Sequence, residues 1–123
     1  MAQSKSSVRI AFWNVNNKDL TEAVCALASS TMADVLVLNE NCVPSGDTLC
    51  ALQEDVSPDF YIPPAVDERF HCFCRCPQLD LSEVHAGRRT SVRKVKLGEQ
   101  IALLMLVHGL DFRNYDSAAR DSF

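Results

Sequence analysis

Phe12-Trp13-Asn14-Val15-Asn16 and Ala33-Asp34-Val35-Leu36-Val37-Leu38-Asn39-Glu40 are the two stretches on which the fold turns. The first closes the run Val8-Arg9-Ile10-Ala11-Phe12-Trp13, where Val8, Ile10 and Phe12 share one face of a strand. Asn14 to Asn17 break that strand. Leu20, Ala23, Val24, Leu27, Ala28 and Thr31 then recur at helical spacing. They predict an amphipathic helix of about three turns, with Asn17 as its N-cap and Asp19 in its first turn. Val35 to Leu38 is a short continuous apolar run, which suits a strand buried on both faces. Strand, helix and strand in this order make a βαβ unit, so parallel or mixed pairing with a right-handed crossover is expected.

Downstream, Leu49, Leu52 and Val56 form the buried side of a second helix over Ser45 to Asp55. Pro58, Pro63 and Pro64 make Ser57 to Pro64 a loop. Arg69 to Cys76 reads as a third strand, ended by Pro77. Leu79 to Arg89 is polar and gives no clear period. Thr90 to Leu97 predicts a strand with Val95 and Leu97 inward and Lys94 and Lys96 outward. Gly98-Glu99 reads as part of a longer loop rather than a tight two-residue turn. Gln100 to His108 is the most apolar strand, and Asp116 or Ser117 is placed to cap a further helix. No repeat or low-complexity tract interrupts the 123 residues. One α/β domain spanning residues 1–123 is expected, with a flexible lead-in over 1–7.

Composition narrows the function. Net charge is −4, which argues against a protein whose whole surface clings to nucleic acid but leaves room for a local anion site. The longest fully apolar run, Ile101 to Val107, falls well short of the roughly 20 residues that span a bilayer. Met1 to Arg9 lacks the apolar core of a signal peptide, so a cytoplasmic setting is expected. The six cysteines are then expected as reduced thiols. Cys72, Cys74 and Cys76 alternate as one face of a strand would, without the C-x2-C pairs of zinc sites, and read as small core hydrophobes. Arg88, Arg89, Arg93, Lys94 and Lys96 make a basic stretch, read as a charged outer strand face before a polyanion-steering patch. Phe60 and Tyr61 read as a loop pinned to the core before a base-stacking surface.

Asn14, Glu40 and His108 each lie at or just past the C-terminal end of an apolar strand, where α/β sheets bind ligands. Carboxylate oxygen is the hard ligand that magnesium prefers. An amide coordinates weakly or holds a phosphate oxygen through its NH2. A histidine donates to charge building on phosphorus oxygens. Taken singly, each has a plainer reading. Glu40 is equally a solvated strand-exit carboxylate, Asn14 and Asn16 suit turns and caps, and His108 suits an ordinary strand end.

Together these residues resemble the endonuclease/exonuclease/phosphatase superfamily. Its opening strand ends W-N-x-N, and its next strand reads roughly P-D-I-L-x-L-Q-E. Met105-Leu106-Val107-His108-Gly109-Leu110 is similar to a later strand of that family ending V-H-L. The resemblance implies the N-terminal half of a two-sheet, four-layer α/β sandwich, with a mixed sheet and helices packed on it. It implies a divalent-metal-dependent phosphodiester hydrolase in which water attacks phosphorus. Mg2+ (or Mn2+) would be held by Glu40, with Asn16 in a metal-linked part. Asn14 and His108 would contact the scissile phosphate, and Asn114 lies in the segment where a further substrate contact is expected. A nucleic acid is the first substrate implied, with phosphoinositide or sphingolipid phosphodiesters also open.

The chain departs from the family in two ways. Asn39 stands where glutamine is usual, which alters a neighbour of the metal ligand. Neither a G-D-x-N nor an S-D-H motif occurs in these residues; Leu110-Asp111-Phe112-Arg113-Asn114 is only superficially like the former. Without the groups those motifs bring, Glu40 and its metal would give a small fraction of a normal rate. The competing expectation is a non-catalytic binding or interaction domain of the same descent. Its half-fold would need covering by a partner chain or by self-association.

Overall fold

The computed structural model describes residues 7–65 and 69–108. Their architecture is mixed α/β, with two small sheets and two helices. β1 (Ile10–Asn14), α1 (Thr21–Thr31), β2 (Val35–Asn39), α2 (Ser45–Asp55) and β3 (Phe70–Cys74) come first. They are followed by β4 (Leu79–Ala86), β5 (Thr90–Leu97) and β6 (Gln100–Val107). β2 is the centre of the first sheet, parallel to β1 and antiparallel to β3. The second sheet is an antiparallel meander, β4-β5-β6.

β2 shows why the molecule is layered. All five of its residues are buried. Val35 and Val37 face the second sheet, in a cluster with Cys72, Leu81, Val95 and Leu106. Leu36 and Leu38 face the helices, with Val24, Ala28, Leu52 and Phe73. Each such side chain contributes about 1.5–3 kcal/mol on burial, so the strand holds helix layer, first sheet and second sheet together. The outer face of the second sheet carries no further layer among the described residues.

The helices start and stop for local reasons. α1 begins later than Asn17 would set it. Asp19 accepts from the Thr21 backbone N–H at 3.2 Å and from its hydroxyl at 2.7 Å, which organises the entry. Those bonds hold the exposed Asp19 carboxyl below its ordinary range. α1 ends at Met32 in the left-handed region (φ 52°), and Ala33 N–H reaches back to Ala28 O at 3.2 Å. α2 has the expected bounds, its first turn closed by Asp47 and Thr48 N–H donating to Pro44 O.

Three expectations change. Leu79 to Ala86 is a full strand whose period was hidden by a bulge between Glu83 and His85. Gly98-Glu99 is a tight two-residue hairpin turn, since Leu97 pairs with Gln100 and Gly98 takes φ 61°. Arg93 does not join Lys94 and Lys96 outside. It is 1 % exposed between the sheets, where it donates to Ser91 Oγ at 2.7 Å and meets Glu83 at 3.5 Å.

The cysteines among the core residues behave as hydrophobes. Cys25, Cys72, Cys74 and Cys76 are buried, Cys42 and Cys50 are exposed, and all six thiols are free. Burial first, and then the neighbouring Cys72, pushes the Cys74 thiol up to about 12. No helix among the described residues is long and apolar enough to cross a membrane.

Candidate functional site

Parallel pairing brings the first two candidate residues together. Asn14 sits opposite Asn39 at the end of the β1–β2 ladder, so Glu40 lies one residue beyond. The two exit loops are then tied to each other. Val15 N–H donates to Asn39 O at 3.0 Å, and Asn17 N–H donates to Glu40 O at 2.7 Å.

The side chains converge on one carboxylate. Asn14 Nδ2 donates to Glu40 Oε2 at 2.5 Å. Asn17 Nδ2 approaches Oε1 at 3.5 Å. Asn14 is itself oriented, because its Oδ1 accepts the Asn16 N–H at 2.9 Å, an Asx-turn contact. Asn16 thus takes part through its backbone, and Asn17 is the neighbour whose side chain reaches Glu40. Asn16 and Asn17 adopt φ of 56° and 57°, which asparagine tolerates. Glu40 adopts φ 53°, which it tolerates poorly, and such outliers concentrate at functional positions.

His108 joins the site from the second sheet. Its backbone N–H donates to Arg89 O at 2.7 Å, fixing the end of β6 to the start of β5. Arg69 Nη2 donates to Gly87 O at 2.7 Å, pinning the β4–β5 turn to the first sheet. The His108 ring meets the buried Asn39 amide, with Nδ1 3.3 Å from Nδ2 and 3.4 Å from Oδ1. Asn39 Oδ1 also accepts the Glu40 N–H at 3.0 Å. Asn39, rather than a direct contact, therefore connects Glu40 to His108.

A second asparagine–histidine pair flanks Glu40. Asn41 Nδ2 lies 3.2 Å from Thr48 Oγ1 and 3.1 Å from His71 Nδ1. His71 also borders a cavity of about 320 Å3, with Ser45, Phe70, Cys72 and Arg93. Phe70 pairs with Asn39, so this cavity adjoins the site. Asn17, Asn39, Asn41 and His71 were not among the sequence candidates; Asn39 and Asn41 flank Glu40, the one signal that pointed to them. Asn114 lies outside the described residues.

The amides turn their NH2 groups to Glu40, so its carboxylate is the hard oxygen ligand here. Glu40 offers a single half-buried carboxylate with amides around it. Among the described residues, no group of three or more His, Cys, Asp or Glu gathers as a metal cage. Mg2+ commonly takes one or two carboxylates and completes its shell with water and substrate phosphate, so Glu40 fits that cation in kind. A scan against protein-family models and a search of the curated proteins gave no match to this chain.

Proposed function

We propose that this chain forms the metal- and phosphate-holding part of a divalent-metal-dependent phosphodiester hydrolase. The contact that carries the reading is Asn14 Nδ2 on Glu40 Oε2 at 2.5 Å, with His108 brought to the same strand ends through Asn39. Glu40 would hold Mg2+ (or Mn2+), which when bound supplies charge neutralisation at the phosphate. Asn14 orients the carboxylate and offers its amide to a phosphate oxygen. His108 donates to a phosphate oxygen from the opposite sheet. Water activation falls to groups outside this set, since neither Asn14 nor His108 stands as a paired acid and base. The four-layer endonuclease/exonuclease/phosphatase-like sandwich remains part of this proposal, as does a nucleic acid as the first substrate to test.

Mg2+ titration of the 15N-labelled chain tests it directly. Amide shifts should move at Asn14 to Asn17 and at Glu40, and Glu40→Ala should abolish the response. An unchanged response in Glu40→Ala would sink the assignment.

A second reading has its own observation. Ile10 and Phe12 on β1 are 44 % and 50 % exposed, and Ile101, Leu103 and Met105 on β6 are 60–69 % exposed. Apolar rows of this kind mark surfaces that meet another protein surface. A non-catalytic interaction domain would use them without needing Glu40. Sedimentation showing a monomer at all concentrations would count against that reading.

A further inference from the structure

We infer that Asn39 is a positioning residue that fixes the tautomer of His108, so that the neutral ring carries its proton on Nε2. The inference rests on the reading of His108 as a phosphate donor for its purpose, but on geometry alone for its substance. Asn39 is 3 % exposed, so each of its polar atoms needs a protein partner. Its Oδ1 has one in the Glu40 N–H at 3.0 Å. Among the described residues its Nδ2 has a partner in His108 Nδ1, at 3.3 Å. Among the described residues no buried side-chain nitrogen or oxygen is left without a partner.

Two arrangements of the pair compete. If Nδ1 carried the proton it would donate to Asn39 Oδ1 at 3.4 Å, an oxygen already engaged. The Asn39 NH2 would then face an N–H and lose its acceptor, at a cost of about 1–3 kcal/mol. If Nδ1 is bare, both ends of the amide are satisfied at once. The Glu40 N–H decides which way the amide points, because only Oδ1 can accept it. The same Asn39 side chain thus braces the left-handed backbone at Glu40 and sets the ring beside it. The consequence is an Nε2–H free to donate to a phosphate oxygen, the role a neutral Nδ1–H ring would not fill from that nitrogen.

The test is a long-range 1H–15N correlation of the imidazoles in the full labelled chain at about pH 8, where imidazole is ordinarily neutral. His108 is assigned by loss of its signals in His108→Gln. The wild type should show Nδ1 as the bare nitrogen and Nε2 as the protonated one. In Asn39→Asp, which offers only acceptors, His108 should switch to Nδ1–H while His71 keeps its pattern. With Mg2+ present, inorganic phosphate should bind Asn39→Asp at least about tenfold more weakly, from the lost Nε2–H hydrogen bond together with the added negative charge. An Nδ1–H ring or a mixture of tautomers in the wild type overturns the inference, whether or not the variant folds. So does an unswitched ring in a folded Asn39→Asp. If the ring switches but Mg2+ leaves Asn14 to Asn17 unmoved, the hydrolase reading fails and the Asn39 lock stands. A Mg2+ response with a Nδ1–H wild type gives the reverse.

Discussion

The two sheets of this protein are built from equally apolar strands and live in different surroundings. β2 is covered on both sides, by helices and by the second sheet. Among the described residues β6 is covered on one side, with Leu104 and Leu106 turned inward and Ile101, Leu103, Met105 and Val107 turned out. The first sheet contains the parallel pair, and parallel sheets are ordinarily buried on both faces; antiparallel meanders ordinarily leave one face wet. The second sheet leaves one face open as that rule expects, with Lys94 and Lys96 on its β5 outer row, but the outer row of β6 is apolar. Glu40 therefore hangs from a strand locked in the core, and His108 from one packed on a single side.

The sharpest challenge to this contrast is at the inner face of the second sheet, which should be as dry as β2. Glu83→Ala removes the carboxylate 3.5 Å from the buried Arg93 guanidinium and should cost about 3–5 kcal/mol in denaturant unfolding. Glu83→Leu combined with Arg93→Met should recover most of that loss. A near-neutral single variant would mean that water reaches this layer.

Truncation then compares the strands themselves. Leu38→Ala should lose about 2–5 kcal/mol, because Leu38 is fully buried. Leu103→Ala, at 69 % exposure, should stay within about 0.5 kcal/mol. Equal losses at the two positions would show that something covers β6.

Alkaline unfolding gives the smallest effect. The Cys74 thiol is raised from 9.0 to about 12 in the fold, so between those values the native state keeps a proton that the unfolded chain has lost. Stability is complete below pH 9 and declines as pH rises through that window. By pH 10.5 the loss should be on the order of 2 kcal/mol. Cys74→Val should flatten that slope, as read from urea midpoints at pH 8 and 10.5; a parallel slope would place the effect elsewhere.

How much of this was legible in the sequence depends on the distance over which each feature is set. α2 matched its expected bounds and Val35 to Leu38 its double burial, because period and continuity are local signals. The meeting of Asn14 and Glu40 was legible as two strand ends of one βαβ unit. Arg93 was misread because runs of like residues suggest one surface, whereas strand alternation sends it inward from Lys94. Asn17 and Asn39 were missed for a different reason. Which of Asn16 and Asn17 reaches Glu40 depends on left-handed turns, and the Asn39–His108 contact spans 69 residues of sequence. Nothing local in the chain encodes that pairing. The exposed row of β6 was equally illegible, since apolarity announces a strand without saying whether a layer will lie over it.

The backbone at Glu40 sets conformational ease against chemistry. A φ of 53° suits glycine, and asparagine next, and holding a longer side chain there costs on the order of 1–2 kcal/mol. Glycine and asparagine have no carboxylate, and aspartate, which has one and also visits this region, is a methylene shorter. At this one position the easiest backbone and a carboxylate of glutamate's reach call for different side chains.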